Sequence, residues 1–409
     1  MNRTLRIFGK LTLSILLLTT TSCELFDWDF GALAFDRFPK ETALDKSYKF
    51  EGKVIIIGAG ASGLAAATIL EKNGVDYEII EASNRYGGRL MKVEGFADFP
   101  IDIGAEWIHN MPQVLNRLKG IRDDEIREEL IPYQLVSSAS WDGENYVEIP
   151  KKDLDEYFAG FPEYKFKRKT WYDFVDEHFA QKVKHRIRYN SPVVEIDYSG
   201  KQVSLKLGSG ESIIADKVLV TVSVGVLQSN AITFKPALDQ KKLKAINAVK
   251  FLPGFKLVMK FHEEFYPNVI SCKTKVGTKD FYDVAFKKES ADNVLGLLSM
   301  GSSTEAYYKL NSEEAIVNKV LSELDQMFAG KATELYTGEY LIQDWGRHAF
   351  TQGTWSSTLM GSKQLQQLNR PVGDKVYFSG GANDTHRQQG VPGAILSGYD
   401  TIDRLLSDN

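Results

Sequence analysis

The chain has 409 residues, of which 43% are apolar and 25% are charged, and its formal net charge is −4. A chain of this length and composition is expected to form two globular domains around a large core. It has no block of basic residues, which argues against nucleic-acid binding, and its sequence predicts no metal site.

The N-terminal region is predicted to be a targeting segment and a tether. Three basic residues precede the apolar run Leu11–Leu18, which is too short to cross a bilayer. Small residues then lead to Cys23, and this pattern resembles a bacterial lipoprotein signal. In that interpretation residues 1–22 are a signal peptide and Cys23 is lipidated. Residues 23–49 then tether the protein in the bacterial cell envelope, on the outer side of the cytoplasmic membrane or at the outer membrane. The alternative is a simple secretory peptide in which Cys23 has no role. Once Cys23 is lipidated, Cys272 has no partner for an intramolecular disulfide.

A strand–turn–helix–strand unit follows the tether. The apolar run Val54–Ile57 predicts a buried parallel strand, Leu64–Lys72 predicts a helix, and Tyr77–Ile80 predicts a second strand that ends at an acid. The turn has G-x-G-x-x-G spacing: its glycines allow the tight turn, the approach of a pyrophosphate and close helix packing. The helix N-terminus offers N–H groups to phosphates, and the acid can bind a ribose diol. The predicted dinucleotide-binding residues are Gly58, Gly60, Ala61, Ser62, Gly63 and Glu81. The alternative, a plain glycine turn, leaves the strand, helix and acid in register unexplained.

The next segment, Arg85-Tyr86-Gly87-Gly88-Arg89, resembles the R-x-G-G-R element of the flavin amine oxidase family, which includes monoamine and polyamine oxidases. The resemblance implies that the dinucleotide is FAD and that Arg85, Gly88 and Arg89 surround its diphosphate. Arginine suits this role because its planar fork makes bidentate contacts to phosphate. The alternative is a surface turn with solvated arginines.

The segment from Asp102 to His109 is similar to the G-A-x-W-x-H segment of polyamine oxidases. The similarity implies that its central residues lie beside the flavin ring and that His109 lies near the substrate channel. Those central residues are Gly104, Ala105, Glu106 and Trp107. The alternative for His109 is a hydrogen-bonded wall residue, and a histidine in either role gives a pH signature.

Residues 191–196 resemble the family strand that meets the adenine, and the resemblance assigns Val193 and Val194 to that contact. A β-meander is predicted over residues 198–211, and Lys217–Val222 predicts another strand buried on both faces.

Lys256 is the strongest catalytic candidate. It lies in the predicted strand Phe255–Phe261, ten residues before Tyr266, and alternation makes it point opposite to its two neighbours. In amine oxidases a lysine at this spacing from an aromatic residue holds a water against flavin N5, and the resemblance implies the same role here. The alternative is a solvent-facing lysine on a strand edge, the state expected of Lys260.

Two tryptophans and a threonine complete the predicted flavin environment. The resemblance implies that Trp345 contacts the cofactor and that Trp355 faces the flavin ring as half of an aromatic cage. Thr354 stands where some monoamine oxidases carry the cysteine that bonds FAD, so FAD is expected to be non-covalent.

The C-terminal region resembles the last strand and helix of the family, V-x-F-A-G-E-A and G-x-V-x-G-A-x-x-S-G. The cofactor-binding residues that this implies are Gly380, Gly381, Gly390, Val391 and Ala394. Gly381 replaces an acid, Gly390 stands where monoamine oxidases place the second cage tyrosine, and Ser83 replaces a common arginine. The segment between His109 and Asn190 is short for the family, which implies a more open site.

The predicted fold is α/β, the two-domain glutathione-reductase-like FAD-binding fold. It has a Rossmann-like βαβ core in a discontinuous FAD domain and a trimmed α+β substrate domain. The FAD-binding domain is predicted over residues 50–112, 185–250 and 346–409, and the substrate domain over residues 113–184 and 251–345.

The resemblance implies an FAD-dependent oxidoreductase that converts a primary or secondary amine to an imine with oxygen as the acceptor. Lys256, Trp355 and His109 are the predicted catalytic residues. Two alternatives stay open: an FAD-dependent enzyme for a non-amine substrate, of the desaturase or porphyrinogen-oxidase type, and a lipid-anchored FAD-binding protein without turnover.

Overall fold

The computed structural model describes residues 42–109, 111–356, 360–386 and 390–408. The predicted signal peptide, Cys23 and most of the predicted tether lie outside these residues. None of the helices within the described ranges is both long enough and apolar enough to cross a membrane.

The helices and strands are numbered here in chain order. The helices are α1 (Ala61–Lys72), α2 (Val114–Leu118), α3 (Lys151–Gly160), α4 (Trp171–Val175), α5 (Gln181–Val183), α6 (Val224–Gln228), α7 (Gln240–Ala248), α8 (Glu305–Tyr308), α9 (Glu313–Phe328), α10 (Lys331–Leu335), α11 (Ser362–Asn369) and α12 (Gly390–Ser407). The strands are β1 (Lys53–Ile57), β2 (Asp76–Ile80), β3 (Lys92–Val93), β4 (Ile101–Asp102), β5 (Leu130–Pro132), β6 (Ser138–Trp141), β7 (Tyr146–Glu148), β8 (Tyr164–Phe166), β9 (Ile187–Arg188), β10 (Val193–Asp197), β11 (Val203–Leu207), β12 (Ser212–Ala215), β13 (Lys217–Val220), β14 (Thr233–Lys235), β15 (Phe251–Leu252), β16 (Gly254–Phe261), β17 (Val269–Cys272), β18 (Gly277–Asp283), β19 (Asn293–Gly301), β20 (Tyr336–Asp344), β21 (Trp355–Ser356) and β22 (Val376–Phe378).

A parallel sheet in the order β22-β13-β1-β2-β9 contains the predicted βαβ unit. β1 is a continuous apolar run because both of its faces are covered. Val54 and Ile56 belong to one core cluster, with α1 and α12, whereas Ile55 and Ile57 belong to a second cluster beneath β10–β12. The predicted strand, helix and second strand of this unit are confirmed.

The predicted meander is also confirmed, since β10, β11 and β12 pair antiparallel in sequence order. The strand predicted to end at Val222 ends at Val220, where the chain continues to the N-cap of α6. That cap is Ser223, whose hydroxyl accepts from the N–H of Val226. Ser223 therefore has a clear structural role at the start of α6.

A second, mainly antiparallel sheet has the order β20-β16-β19-β18-β17-β6-β7. Its β16 strand alternates as predicted, because Phe255 and Leu257 pack in a core cluster with α9. Ser312 caps α9 at its N-terminus, and Ile316 and Val320 are among the residues that α9 contributes to the cluster. Lys256 therefore lies on the opposite face of this sheet, toward the segment that follows β4.

The region predicted to be trimmed contributes to both parts of the molecule. Residues 138–148 form a hairpin, β6 and β7, at the edge of the second sheet. Trp171, Phe174 and Val183 instead belong to the core cluster of β1 and α1. The division of residues 113–184 between the two domains stays a prediction.

Candidate cofactor-binding and active site

The glycine turn after β1 leaves space beside the N-terminus of α1. Gly58 has a φ of +107°, which favours glycine, and a Cβ on Gly63 would lie 2.1 Å from the Gly58 carbonyl oxygen. A Cβ on Gly60 would meet no heavy atom within 4 Å. The first helical bond of α1 runs from the N–H of Leu64 to the Gly60 carbonyl, so the preceding N–H groups face this space. The predicted residues Ala61 and Ser62 supply two of those groups.

Glu81 is buried at the end of β2, next to the turn. Its Oε2 accepts from the N–H of Ala59 at 2.7 Å, and its Oε1 accepts from the N–H and hydroxyl of Ser83 at 2.9 and 2.8 Å. Ser83, which stands in the place of an arginine, therefore helps to orient the predicted ribose-binding carboxylate.

The two arginines of the R-x-G-G-R element have different environments. The Arg85 guanidinium donates to the carbonyls of Tyr86, Gly88 and Leu90 at 3.1, 2.7 and 2.8 Å. These bonds hold the loop in shape, and the diphosphate contact implied for Arg85 stays a prediction. Gly88 packs against Gly60: a Cβ on Gly88 would lie 3.5 Å from the Gly60 Cα.

Arg89 links this element to the region of the predicted cage. Its guanidinium donates to the Thr354 carbonyl and lies 5.2 Å from the centre of the Phe251 ring. Burial lowers the pKa of Arg89 to about 10, so the group stays charged at neutral pH. A buried guanidinium beside the glycine turn fits an anionic ligand such as a diphosphate.

Glu106 is the centre of a buried charged cluster. Lys165 Nζ lies 2.7 Å from its Oε1, whereas Lys256 Nζ and the Tyr282 hydroxyl lie 2.7 and 2.8 Å from its Oε2. Burial alone would raise the pKa of Glu106, but the two ammonium groups hold it at about 2. Its side chain is fully occupied by protein partners, so a cofactor contact at this position would come from the backbone.

Lys256 is 2% exposed, and the solvent-facing alternative is therefore wrong. Its ammonium donates to the carbonyls of Asp102 and Gly104 at 2.6 and 3.1 Å and to Glu106 at 2.7 Å. An ammonium has three donors, and all three have protein acceptors. The implied role of holding a water would require one of these bonds to break.

The second sheet also positions Lys260 and Tyr266. Lys260 Nζ pairs with Asp292 at 2.7 Å and its side chain is 22% exposed. The expected edge position is wrong, because β16 is an inner strand that pairs with both β19 and β20. Tyr266 packs against Phe261 on the face opposite to Lys256, and its ring therefore takes no part in the Glu106 cluster.

The structure brings the rings of His109 and Trp355 together, and their implied places at the substrate channel and in the aromatic cage stay predictions. Their rings stack with centres 6.0 Å apart and an interplanar angle of 16°. Glu163 Oε1 lies 2.7 Å from His109 Nδ1 and fixes the orientation of the imidazole. The alternative of a hydrogen-bonded wall residue thus describes one side of this histidine, whose ring also stacks on Trp355.

The segment from Asp102 to His109 joins the predicted catalytic residues. Trp345 is buried and donates from Nε1 to the Ile103 carbonyl at 3.1 Å. A Cβ on Gly104 would lie 2.0 Å from the Arg89 carbonyl oxygen, so the two segments touch backbone to backbone. Ala105 donates to the same carbonyl at 3.3 Å. Trp107 follows, with its ring against Tyr282.

The C-terminal elements close the glycine turn from the other side. Hydroxyls of Ser62, Ser379 and Ser397 form a buried chain with distances of 2.7 and 3.0 Å. A Cβ on Gly398 would lie 2.6 Å from the Ser62 carbonyl oxygen, so α12 crosses α1 in close contact.

The remaining predicted cofactor residues lie after β22, in α12 and in the β-meander. Gly380 has a φ of +150° at the end of β22, followed by Gly381, and a Cβ on Gly381 would approach the Gly390 carbonyl oxygen to 3.7 Å. Val391 is buried, Val193 is buried in the meander, and Val194 is 37% exposed. Ala394 packs partly buried against the first core cluster. Thr354 uses its N–H and hydroxyl on the Leu252 carbonyl.

The residues present fit FAD. The turn offers free N–H groups and open space at Gly60, Arg89 supplies a buried positive charge, and Glu81 is fixed beside them. Lys165 and Tyr282, which complete the Glu106 cluster, were not identified from the sequence. The alternation Tyr164-Lys165-Phe166, a lysine between two aromatic residues in a strand, is the signal that could have shown Lys165.

Comparison with known proteins gives a consistent result. The family model described as flavin containing amine oxidoreductase matches residues 61–165 and 169–406. Polyamine oxidase 1 of Zea mays is 26% identical over 87% of this chain and 90% of its own length. Lysine-specific histone demethylase 2 of Homo sapiens is 24% identical over 87% of this chain and 53% of its own length.

Solved structures confirm the predicted two-domain FAD-binding fold. Cyclohexylamine oxidase from Brevibacterium oxydans IH-35A superposes with a TM-score of 0.70 at 18% identity, over 88% of this chain and 99% of that chain. Putrescine oxidase bound to putrescine superposes with a TM-score of 0.68 at 17% identity, over 88% of this chain and 100% of that chain.

We predict that Gly60→Val gives a folded protein without flavin. The new side chain meets no protein atom within 4 Å at its Cβ, so the fold tolerates it, but it fills the space that the diphosphate needs. Flavin absorbance per protein and the thermal midpoint measure the two effects separately. Gly63→Ala is the contrasting variant, because its Cβ would clash with the Gly58 carbonyl and lower stability. Wild-type flavin content in Gly60→Val would show that the dinucleotide does not lie at this turn.

Proposed function

The chain belongs to the flavin-containing amine oxidoreductase family, and on this premise we propose that it oxidises a primary or secondary amine to an imine with oxygen as the acceptor. FAD-dependent amine oxidation, with FAD held non-covalently, is the activity that this membership establishes. The finer assignment is supported by one arrangement above all: the segment from Asp102 to His109 connects the buried ammonium of Lys256 to the stacked pair His109 and Trp355.

The overall reaction balances as follows. The amine carbon loses a hydride equivalent and the nitrogen loses a proton, and oxygen takes two electrons and two protons to become hydrogen peroxide. Water then hydrolyses the imine. FAD supplies the two-electron acceptor chemistry for the first half.

The chain's own residues have distinct tasks in this scheme. Lys256 provides a fixed positive charge at the segment that borders the proposed flavin position, and such a charge favours any negative charge that develops there. His109 and Trp355 offer a flat aromatic wall for the substrate. Because Glu163 occupies Nδ1 of His109, a hydrogen bond to a ligand would be made by Nε2.

The substrate class is narrowed by similarity to polyamine, putrescine and cyclohexylamine oxidases. We propose that the substrate is a small amine of this range, a monoamine or a polyamine, that enters beside His109. The glycines at 381 and 390, together with the short segment after His109, support an open entrance.

We further propose that the protein is a lipoprotein of the bacterial cell envelope. Its N-terminal basic residues, the short run Leu11–Leu18 and the small residues before Cys23 support lipidation at that cysteine. Residues 23–49 would then separate the enzyme from the membrane.

The decisive test of amine oxidation is anaerobic mixing with a panel of monoamines, diamines and polyamines. We expect at least one amine to bleach the flavin absorbance at about 450 nm, where oxidised flavin absorbs. Stopped-flow spectroscopy measures the rate of this change. The reduction rate should rise with pH until the amine is fully deprotonated, because the neutral amine is the reactive form. Failure of every amine in the panel to bleach the flavin would contradict the proposal.

Lys256→Met is predicted to retain FAD, because the residue contacts neither the glycine turn nor Arg89. It should slow flavin reduction or reoxidation by a factor on the order of 10²–10³, the usual cost of removing a preorganised electrostatic partner. Stopped-flow absorbance measures the two half-reactions, and Lys260→Met, in the same strand but outside the Glu106 cluster, is the matched control. Wild-type rates in both half-reactions would remove Lys256 from the mechanism.

Cys23→Ser is predicted to abolish lipid labelling and to release the protein from membranes. Each buried CH₂ of an acyl chain contributes about 0.8 kcal/mol, so loss of the chains has a large effect on partitioning. Metabolic labelling with a fatty acid and membrane fractionation measure both consequences, and Cys272→Ser is the control. Unchanged fractionation of Cys23→Ser would contradict the anchor.

A further inference from the structure

The Glu106 cluster contains one ionised carboxylate between two lysines. Two of the three acceptors around Lys256 are neutral carbonyls, and the third, Glu106, is the charged one. The other oxygen of the same carboxylate faces Lys165 at 2.7 Å. The two lysines therefore share the single negative charge of the Glu106 carboxylate.

Lys165 has a second source of stabilisation. Its Nζ lies 4.8, 4.6 and 4.9 Å from the ring centres of Trp107, Tyr133 and Tyr282. Three aromatic faces around one ammonium form a cation–π cage, which is most effective when water is excluded. Lys165 is 1% exposed, so the cage is closed. The aromatic rings and Glu106 both stabilise the Lys165 ammonium. Because Lys165 depends less on Glu106 alone, more of the attraction of the carboxylate is available to Lys256.

The other titratable groups nearby do not replace Glu106. Burial, with Glu106 next in effect, raises the pKa of Asp102 well above its usual range and favours the neutral acid. Burial likewise raises the pKa values of Tyr133 and Tyr282, which stay neutral, and that of Asp283 to about 6. Lys288 adds a further positive group beside the cluster, and burial lowers its pKa.

Removal of this carboxylate would leave two ammonium groups close together in a buried site. Such a site disfavours the charged form of lysine, by up to about 3–5 pKa units for fully buried groups. Lys256 has no aromatic cage of comparable completeness: its Nζ lies 5.4 and 5.6 Å from the ring centres of Trp107 and Tyr282. Burial already lowers the pKa of Lys165 in the intact cluster, so the double variants below are needed to assign which lysine loses its proton when the carboxylate is removed.

We propose that Glu106 is a positioning residue that keeps Lys256 charged and fixed against the Asp102–Gly104 backbone, and that the caged Lys165 sets the share of the carboxylate available to it. The proposal rests on the proposed function only in placing the flavin beside this segment. The resemblance places Lys256 and Glu106 near the flavin, but it implies neither the dependence of Lys256 on Glu106 nor any role for Lys165.

The test is the midpoint potential of the bound flavin as a function of pH, measured with the full FAD-loaded protein and without any amine. The wild-type curve is the reference. In Glu106→Gln we expect an additional inflection between pH 6 and 9, above which reduction becomes less favourable. A tenfold change in the two-electron equilibrium corresponds to about 30 mV, which sets the expected size of the effect.

Three further variants assign the inflection. Lys165→Met should follow the wild-type curve, because Glu106 is then available to Lys256 alone. Glu106→Gln with Lys256→Met should lose the inflection, and its persistence would assign it to another group and overturn the proposal. Glu106→Gln with Lys165→Met should shift the inflection to higher pH, because one positive neighbour is gone. This last variant also replaces Glu106→Gln if the single variant does not fold.

Glu323→Gln is the matched control. Glu323 also lies between two lysines, Lys279 at 2.7 Å and Lys319 at 3.2 Å, and accepts from the Tyr307 hydroxyl at 2.6 Å, but it packs on the opposite side of the sheet. Its variant should follow the wild-type curve. Absence of an inflection in both variants that lack the Glu106 carboxylate but keep Lys256 would overturn the proposal. If the inflection is observed but the protein oxidises no amine, the proposal about Glu106 stands and only the proposed reaction is refuted.

Discussion

The segment from Asp102 to Trp107 is the joint on which the rest of the site depends. The second sheet holds it through Lys256, which binds the carbonyls of Asp102 and Gly104, and through Trp345, which binds that of Ile103. The first sheet reaches it through the Arg89 carbonyl, which Ala105 contacts. Because these bonds come from both sheets, the distance between the glycine turn and the predicted catalytic residues is set by this one strip of backbone.

The chemistry of the joint is costly in a protein interior. Two lysines and a glutamate at 1–5% exposure lose most of their hydration, and buried ion pairs are on average no more stabilising than apolar residues of the same volume. The three aromatic rings and the two backbone carbonyls offset part of that cost. Hydrogen bonds from a charged group are also directional, unlike apolar contacts. Each donor on Lys256 specifies one acceptor, so the segment cannot slide along the sheet without leaving a charge unpaired.

Local patterns predicted the elements that depend on neighbouring residues. The apolar run at Val54–Ile57 and the glycine spacing predicted the parallel strand and turn, and the alternation in β16 predicted the direction of Lys256. The Glu106 cluster escaped prediction because its members come from separate segments whose meeting depends on tertiary packing. Arg85 shows a local bonding pattern that the motif did not predict, since its guanidinium bonds to three carbonyls of its own loop. The resemblance supplied residue positions but not the partners that occupy them.

The order of elements along the chain has a consequence for biosynthesis. The cradle for the dinucleotide begins at Gly58, yet β22 and α12, which pair with β13 and cross α1, follow it in the chain by more than 300 residues. Until they arrive, β13 presents an open strand edge, and such edges invite pairing with other chains. A nascent chain can therefore collapse around β1 and β2 early but cannot retain the cofactor until its C-terminal helix docks. For a chain exported in an unfolded state, this places cofactor capture after translocation, in the compartment where the final helix folds.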